Sequence, residues 1–141
     1  MRCNYEGFYE TSYLCPSGIP TIGFGSCFYS DGTRVAMGDK PISREEASEL
    51  LVYGLRSAEN AVARMVRTSL TINQFSSLVS LVYNIGSGRF MSSTIRSKLN
   101  RQEYTGARNE FWKWRRSNGR IMRGLVLRRA DEAKLFSKNI N

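Results

Sequence analysis

Histidine is absent from this 141-residue sequence, and cysteine occurs only at positions 3, 15 and 27. Without an imidazole, the chain lacks the usual Ser-His-Asp and Cys-His catalytic sets and the commonest ligand of zinc sites. An odd number of cysteines does not suit a complete disulfide framework. Proton transfer near neutral pH therefore has to use a carboxylate, a thiol, a tyrosine or a lysine.

Long apolar runs are missing as well. The longest covers only a few residues, which is too short for a membrane-spanning helix or a secretory signal core. We therefore expect no membrane-spanning segment, and a protein that is either used in the cytosol or released by another protein. No repeat, low-complexity tract or linker divides the sequence, so we interpret residues 1–141 as a single domain.

Acidic residues are scarce: 12 Asp and Glu stand against 21 Lys and Arg, which gives a net charge of +9. Such an excess attracts nucleic acid, phospholipid or an acidic cell-wall polymer. The basic residues are scattered over several predicted helices without interleaved aromatics, and the sequence has no helix-turn-helix or RNA-binding motif. A basic nucleic-acid-binding protein is therefore kept only as the non-enzymatic alternative.

Glycine and proline concentrate in the first 40 residues, where apolar and small residues alternate. This composition favours short strands and turns, and the string SDGT at residues 30–33 is a hairpin signal. The rest of the chain has a helical period. Together the patterns predict an α+β, mostly α fold with a small β-rich lobe at 1–40 and a helical lobe at 41–141. The groove between two such parts is a natural binding site.

Two capping boxes mark helix starts in the second part. Ser43 and Glu46 form the first and predict a helix over about 44–67, whose apolar residues recur at helical spacing. Thr71 and Gln74 form the second. Further predicted boundaries are a helix stop at Gly86 and helices at about 93–100, 103–114 and 124–137.

Glu6, Cys15 and Thr21 are the candidate catalytic residues. Glu6 directly precedes Gly7, and a glycine-rich strand-turn-strand can fold Cys15 and Thr21 back toward its carboxylate. Such an arrangement suits cleavage of a glycosidic bond, in which one group protonates the leaving oxygen and another activates water across the ring. From spacing alone, the alternative is that Glu6 is a solvated glutamate at the end of a helix.

Several strings, taken in order, are similar to one known family. The N-terminal strings are EG at 6–7, YLCPSG at 13–18 and PTIGFG at 20–25. The later strings are LTINQFSSLVSLVYNIG at 70–86, STIRSKLN at 93–100, FWKW at 111–114 and RGLVLRRADEAKLF at 123–136. They span nearly the whole chain and resemble the phage-type lysozymes, glycoside hydrolase family 24, which bacteriophages use as endolysins.

The resemblance implies a lysozyme-like two-lobed fold and hydrolysis of the β-1,4 bond between N-acetylmuramic acid and N-acetylglucosamine in peptidoglycan. It makes Glu6 the general acid and Thr21 the residue that helps to place water. Cys15 falls where many members have aspartate and a subset has cysteine. Tyr83 and Thr94 lie where members line the saccharide groove. The implied protein is a monomer without metal or organic cofactor, made in the host bacterial cytoplasm and acting on the cell wall after release.

A cysteine at this position changes the expected chemistry. A free thiol titrates near about 8.5 and aspartate near about 3.9, so Cys15 is largely protonated at neutral pH unless its surroundings favour the thiolate. We therefore expect sensitivity to thiol reagents and activity that rises with pH. Cys15 is 12 residues from both Cys3 and Cys27. A disulfide to either would mask the sulfur as a redox switch, and independent reduced cysteines are the alternative.

A general acid must hold its proton near pH 6–7, so Glu6 needs a partly apolar site that raises its pKa. The nearby aromatic residues could provide it or could be plain packing residues: they are Tyr5, Phe8, Tyr9 and Tyr13.

Other residues also have two interpretations. Arg128 and Arg129 resemble a family pair of which one lies near the catalytic carboxylate, but they could form a solvated or salt-bridged helix face. Trp112 and Trp114 could stack on a sugar or belong to the core. Ser26 follows Gly25 where members usually have histidine, which puts the stability of the hairpin in doubt.

Three alternatives keep the cell wall as the target. A lytic transglycosylase also uses one glutamate, but it has no water to activate and leaves a 1,6-anhydro sugar. A virion-associated lysozyme domain would act during entry instead of lysis. A wall-binding protein without activity would bind peptidoglycan and leave it intact.

Overall fold

The computed structural model describes residues 7–138, so Cys3, Tyr5 and Glu6 lie outside the described residues. Over this part the chain is mostly helical with two small antiparallel sheets, which confirms the predicted α+β, mostly α class. The elements in order are β1 (Tyr9–Leu14), β2 (Pro20–Gly23), α1 (Arg44–Met65), α2 (Ile72–Ile85), α3 (Ser87–Met91), α4 (Thr94–Asn100), α5 (Tyr104–Arg108), a 3₁₀ turn (Phe111–Lys113), β3 (Arg116–Ser117), β4 (Arg120–Ile121) and α6 (Arg123–Phe136). No helix within residues 7–138 is long and apolar enough to cross a bilayer.

The chain divides into two compact units, Met1–Ser57 and Ala58–Asn141. The first contains β1, β2 and α1 up to Ser57, and the second contains the rest of α1 and the later elements. The interpretation of the chain as one domain with lobes at 1–40 and 41–141 stays a prediction.

In the first unit, β1 and β2 form an antiparallel hairpin. Tyr13 pairs with Thr21, and Leu14 pairs with Pro20 at the end of the ladder. Residues 15–19 make the turn between the strands. The hairpin therefore brings the residue after β1 and the second residue of β2 to the same end of the sheet.

The core of the first unit is small. Ile22, Val35 and Leu50 are buried together, and Tyr29 and Ile42 pack against them. The residues of this core come from β2, the following loop and α1. The hairpin is therefore held in place by segments that are distant in sequence.

The turn predicted at residues 30–33 is present, since the Tyr29 N–H donates to the Thr33 carbonyl at 2.9 Å. A single bridge between Phe28 and Arg34 flanks it, and two strands do not form there. The Asp31 carboxylate accepts bonds from both the N–H and the hydroxyl of Thr33, so the turn is closed by local contacts.

Gly23 is the tightest backbone position of the hairpin. Its φ is +67°, and a Cβ atom there would lie 2.9 Å from the Cβ of Ala47 and 3.1 Å from Cδ1 of Ile42. Only glycine combines a left-handed backbone with this close approach. The end of β2 therefore packs directly on the first turn of α1.

Helix α1 begins as predicted. The Ser43 hydroxyl accepts from the Glu46 N–H at 3.1 Å, and the Glu46 carboxylate accepts from the Ser43 N–H at 3.1 Å. The helix ends at Met65, slightly before the predicted end. The side chain of Asn100 explains this end, because it donates to the Met65 carbonyl at 3.0 Å and accepts from the Arg67 N–H at 2.8 Å.

Helix α2 is the central helix of the second unit. Thr71 and Gln74 cap it reciprocally, and it stops at Gly86, whose φ is +94°, so both predicted boundaries are confirmed. It packs along α6. The buried apolar residues of this unit include Leu78, Leu81, Ile85, Phe90, Ile95, Leu99, Phe111, Leu125 and Phe136.

Two elements were not predicted, namely α3 and the β3–β4 hairpin. Asn118 and Gly119 connect β3 to β4 with φ values of 52° and 77°. Two successive left-handed residues are what a type I′ hairpin turn requires, and Asn-Gly is its strongest sequence signal. The predicted helix over 103–114 is also divided, into α5 and the 3₁₀ turn.

The Gly23→Ala variant is expected to lose about 2–5 kcal/mol of unfolding free energy, because it adds a left-handed alanine and an overpacked contact with Ala47. Urea denaturation measures the loss. Gly32→Ala is the matched control: Gly32 also has a positive φ, but no atom lies within 4 Å of an added Cβ. It should lose only about 1–2 kcal/mol. Equal losses would mean that the contact with Ala47 has no effect.

Candidate active site

Cys15 and Thr21 lie at the same end of the β1–β2 hairpin, on either side of its turn. The carbonyl oxygen of Ile19 accepts two hydrogen bonds there, from the Cys15 N–H at 3.1 Å and from the Thr21 hydroxyl at 2.8 Å. The Gly18 N–H donates to the Cys15 carbonyl at 2.8 Å, and Gly18 has a φ of +76°. A left-handed glycine in the turn thus lets the chain return so that both candidate residues share one acceptor.

Cys15 is 4% exposed and takes part in a disulfide bond. Cys27 is a free, buried cysteine, so the pairing with Cys27, one of the two that the spacing allowed, does not form. The other pairing would use Cys3, which lies outside the described residues. The expectation of independent reduced cysteines is likewise wrong for Cys15. A sulfur held in a disulfide can neither ionise nor accept a proton. The structure therefore describes Cys15 in its oxidised, disulfide-bonded form.

Thr21 is fully buried, and the geometry of its hydroxyl is fixed. Because its hydrogen is directed at the Ile19 carbonyl, the lone pairs of the oxygen are left to accept. A water molecule that donates one hydrogen to Thr21 would keep its own oxygen lone pairs for attack. The side chain is therefore suited to orient water and not to activate it by taking a proton.

Ser26 occupies the position at which the resemblance leads one to expect histidine. It is buried, and its backbone exchanges two hydrogen bonds with Ile22, at 2.9 and 3.0 Å. In the part of the chain that the structure describes, its hydroxyl has no hydrogen-bond partner. The backbone pair closes the turn after β2 without any imidazole, so the missing histidine does not prevent this turn from forming.

Aromatic rings lie close to the start of the hairpin. The rings of Phe8 and Phe24 are 5.6 Å apart, and the guanidinium of Arg44 lies 5.0 Å and 5.8 Å from their centroids. The rings of Tyr9 and Tyr13 contact each other at a tilt of 41°, with their centroids 4.4 Å apart. Phe8 is half-buried, two positions after Glu6 in the sequence. The contact of Arg44 with these two rings was not predicted, because no pattern in the sequence indicates it.

The candidate saccharide residues lie in the second unit. Tyr83 is half-buried on α2, and Thr94 is exposed as the first residue of α4, directly after its N-cap Ser93. The catalytic candidates Cys15 and Thr21 lie in the first unit. The saccharide-binding roles of Tyr83 and Thr94 stay predictions.

Arg128 and Arg129 form the salt-bridged arrangement that the sequence left open. Arg129 is 2% exposed, and its Nε lies 2.6 Å from Oε1 of Glu132, which is 4% exposed. Its Nη2 donates to Oε2 of the same carboxylate at 2.9 Å. The Nε of Arg128 lies 3.3 Å from Oε2 of Glu132. Spacings of three and four residues on a helix were the available signal for this cluster.

This cluster joins α6 to α2. The Ser80 hydroxyl donates to Glu132 at 2.6 Å, and Arg129 donates to the side-chain oxygen of Asn84 at 2.9 Å and to the Trp114 carbonyl at 3.2 Å. Burial lowers the pKa of Arg129 from its usual value, and the nearby Glu132 carboxylate acts in the opposite direction. Arg129 is thus a buried structural cation that pairs with Glu132 and donates to Asn84 and Trp114 within the second unit.

The described part of the chain has no cluster of possible metal ligands: over residues 7–138, no three His, Cys, Asp or Glu side chains come together.

Known proteins that are similar to this chain in sequence and fold include phage endolysins. The phage lysozyme family model matches residues 3–132. The endolysin of Salmonella phage P22 is 39% identical over 131 residues, which cover 93% of this chain and 88% of that protein. The endolysin of Bacillus phage B103 is 33% identical over 98% of this chain, but the chain spans only 53% of its length.

Solved structures agree with the sequence matches. The endolysin from Escherichia coli O157:H7 phage FAHEc1 is similar with a TM-score of 0.77 at 31% identity, over 96% of this chain and 87% of that chain. The chain shares its mostly helical fold and its small hairpin sheet with these enzymes. Fold and family match together make it a glycoside hydrolase of the muramidase class. The chain belongs to the phage lysozyme family.

The Glu132→Gln variant should lose about 3–5 kcal/mol of unfolding free energy, because it leaves the buried Arg129 cation without its counter-charge. Urea denaturation followed by circular dichroism measures this. Asp131→Asn is the matched control, since it removes a carboxylate from the exposed neighbouring position. It should change stability by no more than about 0.5 kcal/mol. A Glu132→Gln loss as small as that of the control would contradict a structural role for the cluster.

Proposed function

We propose that the protein hydrolyses the β-1,4 bond between N-acetylmuramic acid and N-acetylglucosamine with Glu6, Cys15 and Thr21. The observation that carries the assignment of the last two is their shared acceptor, the Ile19 carbonyl. This contact keeps a sulfur and a hydroxyl at one end of the hairpin. Membership of a muramidase family supports the substrate.

In the proposed reaction, the carboxyl group of Glu6 donates a proton to the glycosidic oxygen as the bond to the anomeric carbon breaks. Thr21 accepts a hydrogen bond from the attacking water and fixes its direction. Cys15, as a thiolate, either takes a proton from that water or attacks the anomeric carbon itself. In the second route, water then attacks the same carbon, the Glu6 carboxylate takes a proton from this water, and the sulfur–carbon bond breaks to release the thiolate. The two routes give opposite anomers of the product, inverted in the first case and retained in the second.

Cys15 can take part only after its disulfide is reduced. The disulfide-bonded form is buried and carries no ionisable proton, whereas a free thiol at this position supplies a thiolate fraction that rises with pH. We therefore infer that the oxidised protein is inactive and that activity follows the fraction of reduced Cys15.

A digest of purified peptidoglycan tests the residue assignments. Glu6→Gln should lower the rate at least about 100-fold, because an amide cannot donate the proton. Cys15→Ser should lose most of the activity, whereas Cys15→Asp should keep much of it, because a carboxylate can serve as base or nucleophile. Mass spectrometry and proton NMR of the first products give product mass and anomer.

Each result has an opposing outcome. A fully active Cys15→Ser protein would remove the thiol from the mechanism, and a fully active Glu6→Gln protein would remove the general acid. Products lighter by one water would identify a lytic transglycosylase. Peptidoglycan that is bound but never cut by the reduced wild type would identify a wall-binding protein without activity.

The reduction requirement has a separate test. Pre-treatment with a dithiol reductant should raise wild-type activity, and subsequent alkylation should abolish it. Cys15→Asp is the control, because its activity should respond to neither treatment. Mass spectrometry of the alkylated protein reports which sulfurs were free. Equal wild-type rates before and after reduction, with Cys15 shown to be oxidised beforehand, would overturn the requirement.

Homology to endolysins also supports a place for the reaction in the phage cycle. We propose that the protein is made in the host cytoplasm as a monomer and acts on the wall after release, at lysis. A virion-associated domain used in entry is the alternative. Immunoblotting of purified virions decides between them, because only the entry protein is found in the particle.

A further inference from the structure

A pocket that includes no residue of the proposed catalytic set lies in the second unit, between the α5–3₁₀ segment and α6. Its volume is about 430 Å³, within the range of small-molecule sites. Arg108, Asn109, Trp112 and Arg115 line one side. The opposite side belongs to α6.

The pocket is strongly positive. Arg108 is exposed and Arg115 half-exposed, and none of the ion pairs within residues 7–138 includes either of them. Arg129 also reaches the pocket wall, but its charge is balanced by Glu132. No carboxylate is among the lining residues. The pocket therefore offers two guanidinium groups to an anion.

Trp112 adds a flat apolar surface beside these cations. It is 52% exposed, and the guanidinium of Arg115 lies 4.8 Å from its ring centroid. This contact orders a planar group with donors at its edge, which suits a bidentate carboxylate. Of the two interpretations of Trp112 from the sequence, a core position does not agree with this exposure.

Apart from Arg129, the α6 side of the pocket is aliphatic, with Val126, Ala130 and Ala133 lining it. Small side chains leave space and present only methyl groups, which match short apolar side chains such as those of alanine. A ligand that fills the whole pocket thus needs both methyl groups and free carboxylates within a few bonds of each other.

We propose that this pocket binds the stem peptide of peptidoglycan, a short peptide that combines alanyl methyl groups with free carboxylates. The proposal rests on the proposed function for the presence of that substrate. Binding a stem peptide here would hold the enzyme on strands that still carry their peptides, in addition to the contacts made by the glycan.

Calorimetric titration of the intact protein with a muramyl peptide that has free carboxylates tests the proposal. The probe contains one sugar and so no bond that the enzyme can cut. Arg108→Gln and Arg115→Gln should each weaken its binding about tenfold or more, as should amidation of the probe carboxylates, because each removes a charge-assisted hydrogen bond. Trp112→Ala should weaken it as well.

Arg120→Gln is the matched control, because Arg120 is an exposed arginine of β4 that does not line the pocket. It should leave binding within about twofold. A similar loss in this control would indicate general attraction by the net charge and overturn the proposal. Unchanged binding in both Arg108→Gln and Arg115→Gln, or equal binding of the amidated probe, would also overturn it. Competition by inorganic phosphate at the same concentration would identify an unspecific anion site instead.

A kinetic readout separates this proposal from the proposed function. The ratio of kcat/KM on strands with stem peptides to kcat/KM on strands stripped of them should fall about tenfold in Arg115→Gln. If neither kind of strand is cut by the wild type, the proposed function fails while the titration still reports on the pocket. If both are cut and the ratio does not change, only the pocket assignment fails.

Discussion

The carbonyl oxygen of Ile19 is the contact on which the proposed chemistry depends. It accepts from the backbone of Cys15 and from the side chain of Thr21, so the turn between β1 and β2 and the orientation of the hydroxyl are fixed by one atom. Further along the hairpin, Gly23 allows the backbone to lie against Ala47 of α1. The site thus follows from backbone geometry, which glycines permit, more than from a large core.

Much of the helical architecture could be predicted from the sequence because its signals are local. The boxes at Ser43 and Thr71 place two helix starts within a few residues, and Gly86 marks a stop. The premature end of α1 could not be predicted, because Asn100 provides its partners from a distant helix. Asn-Gly at 118–119 signals the β3–β4 hairpin, but its strands have only two residues each, which is too short for an alternating pattern to predict them.

For the candidate site, the sequence predicted which residues lie together but not their chemical state. The motif strings led to Cys15 and Thr21, and the hairpin brings both to one turn. The oxidised state of Cys15 could not be chosen from spacing, since two partners stood at equal distance. The role of Arg129 was equally open, because burial decides whether an arginine on a helix faces solvent or a carboxylate, and burial depends on the packing of α6 against α2.

The two capping boxes also bear on the order in which the chain folds. Helices that are capped by side chains three residues apart need little loop-closure entropy, so their first turns can form from neighbouring residues. Both units also depend on much longer closures, such as the bond from the Ile42 N–H to the Glu10 carbonyl in the first unit and the bond from the Ser80 hydroxyl to Glu132 in the second. Until the contacts around the hairpin form, the sulfur of Cys15 meets solvent, so the redox conditions during folding bear on whether its disulfide forms.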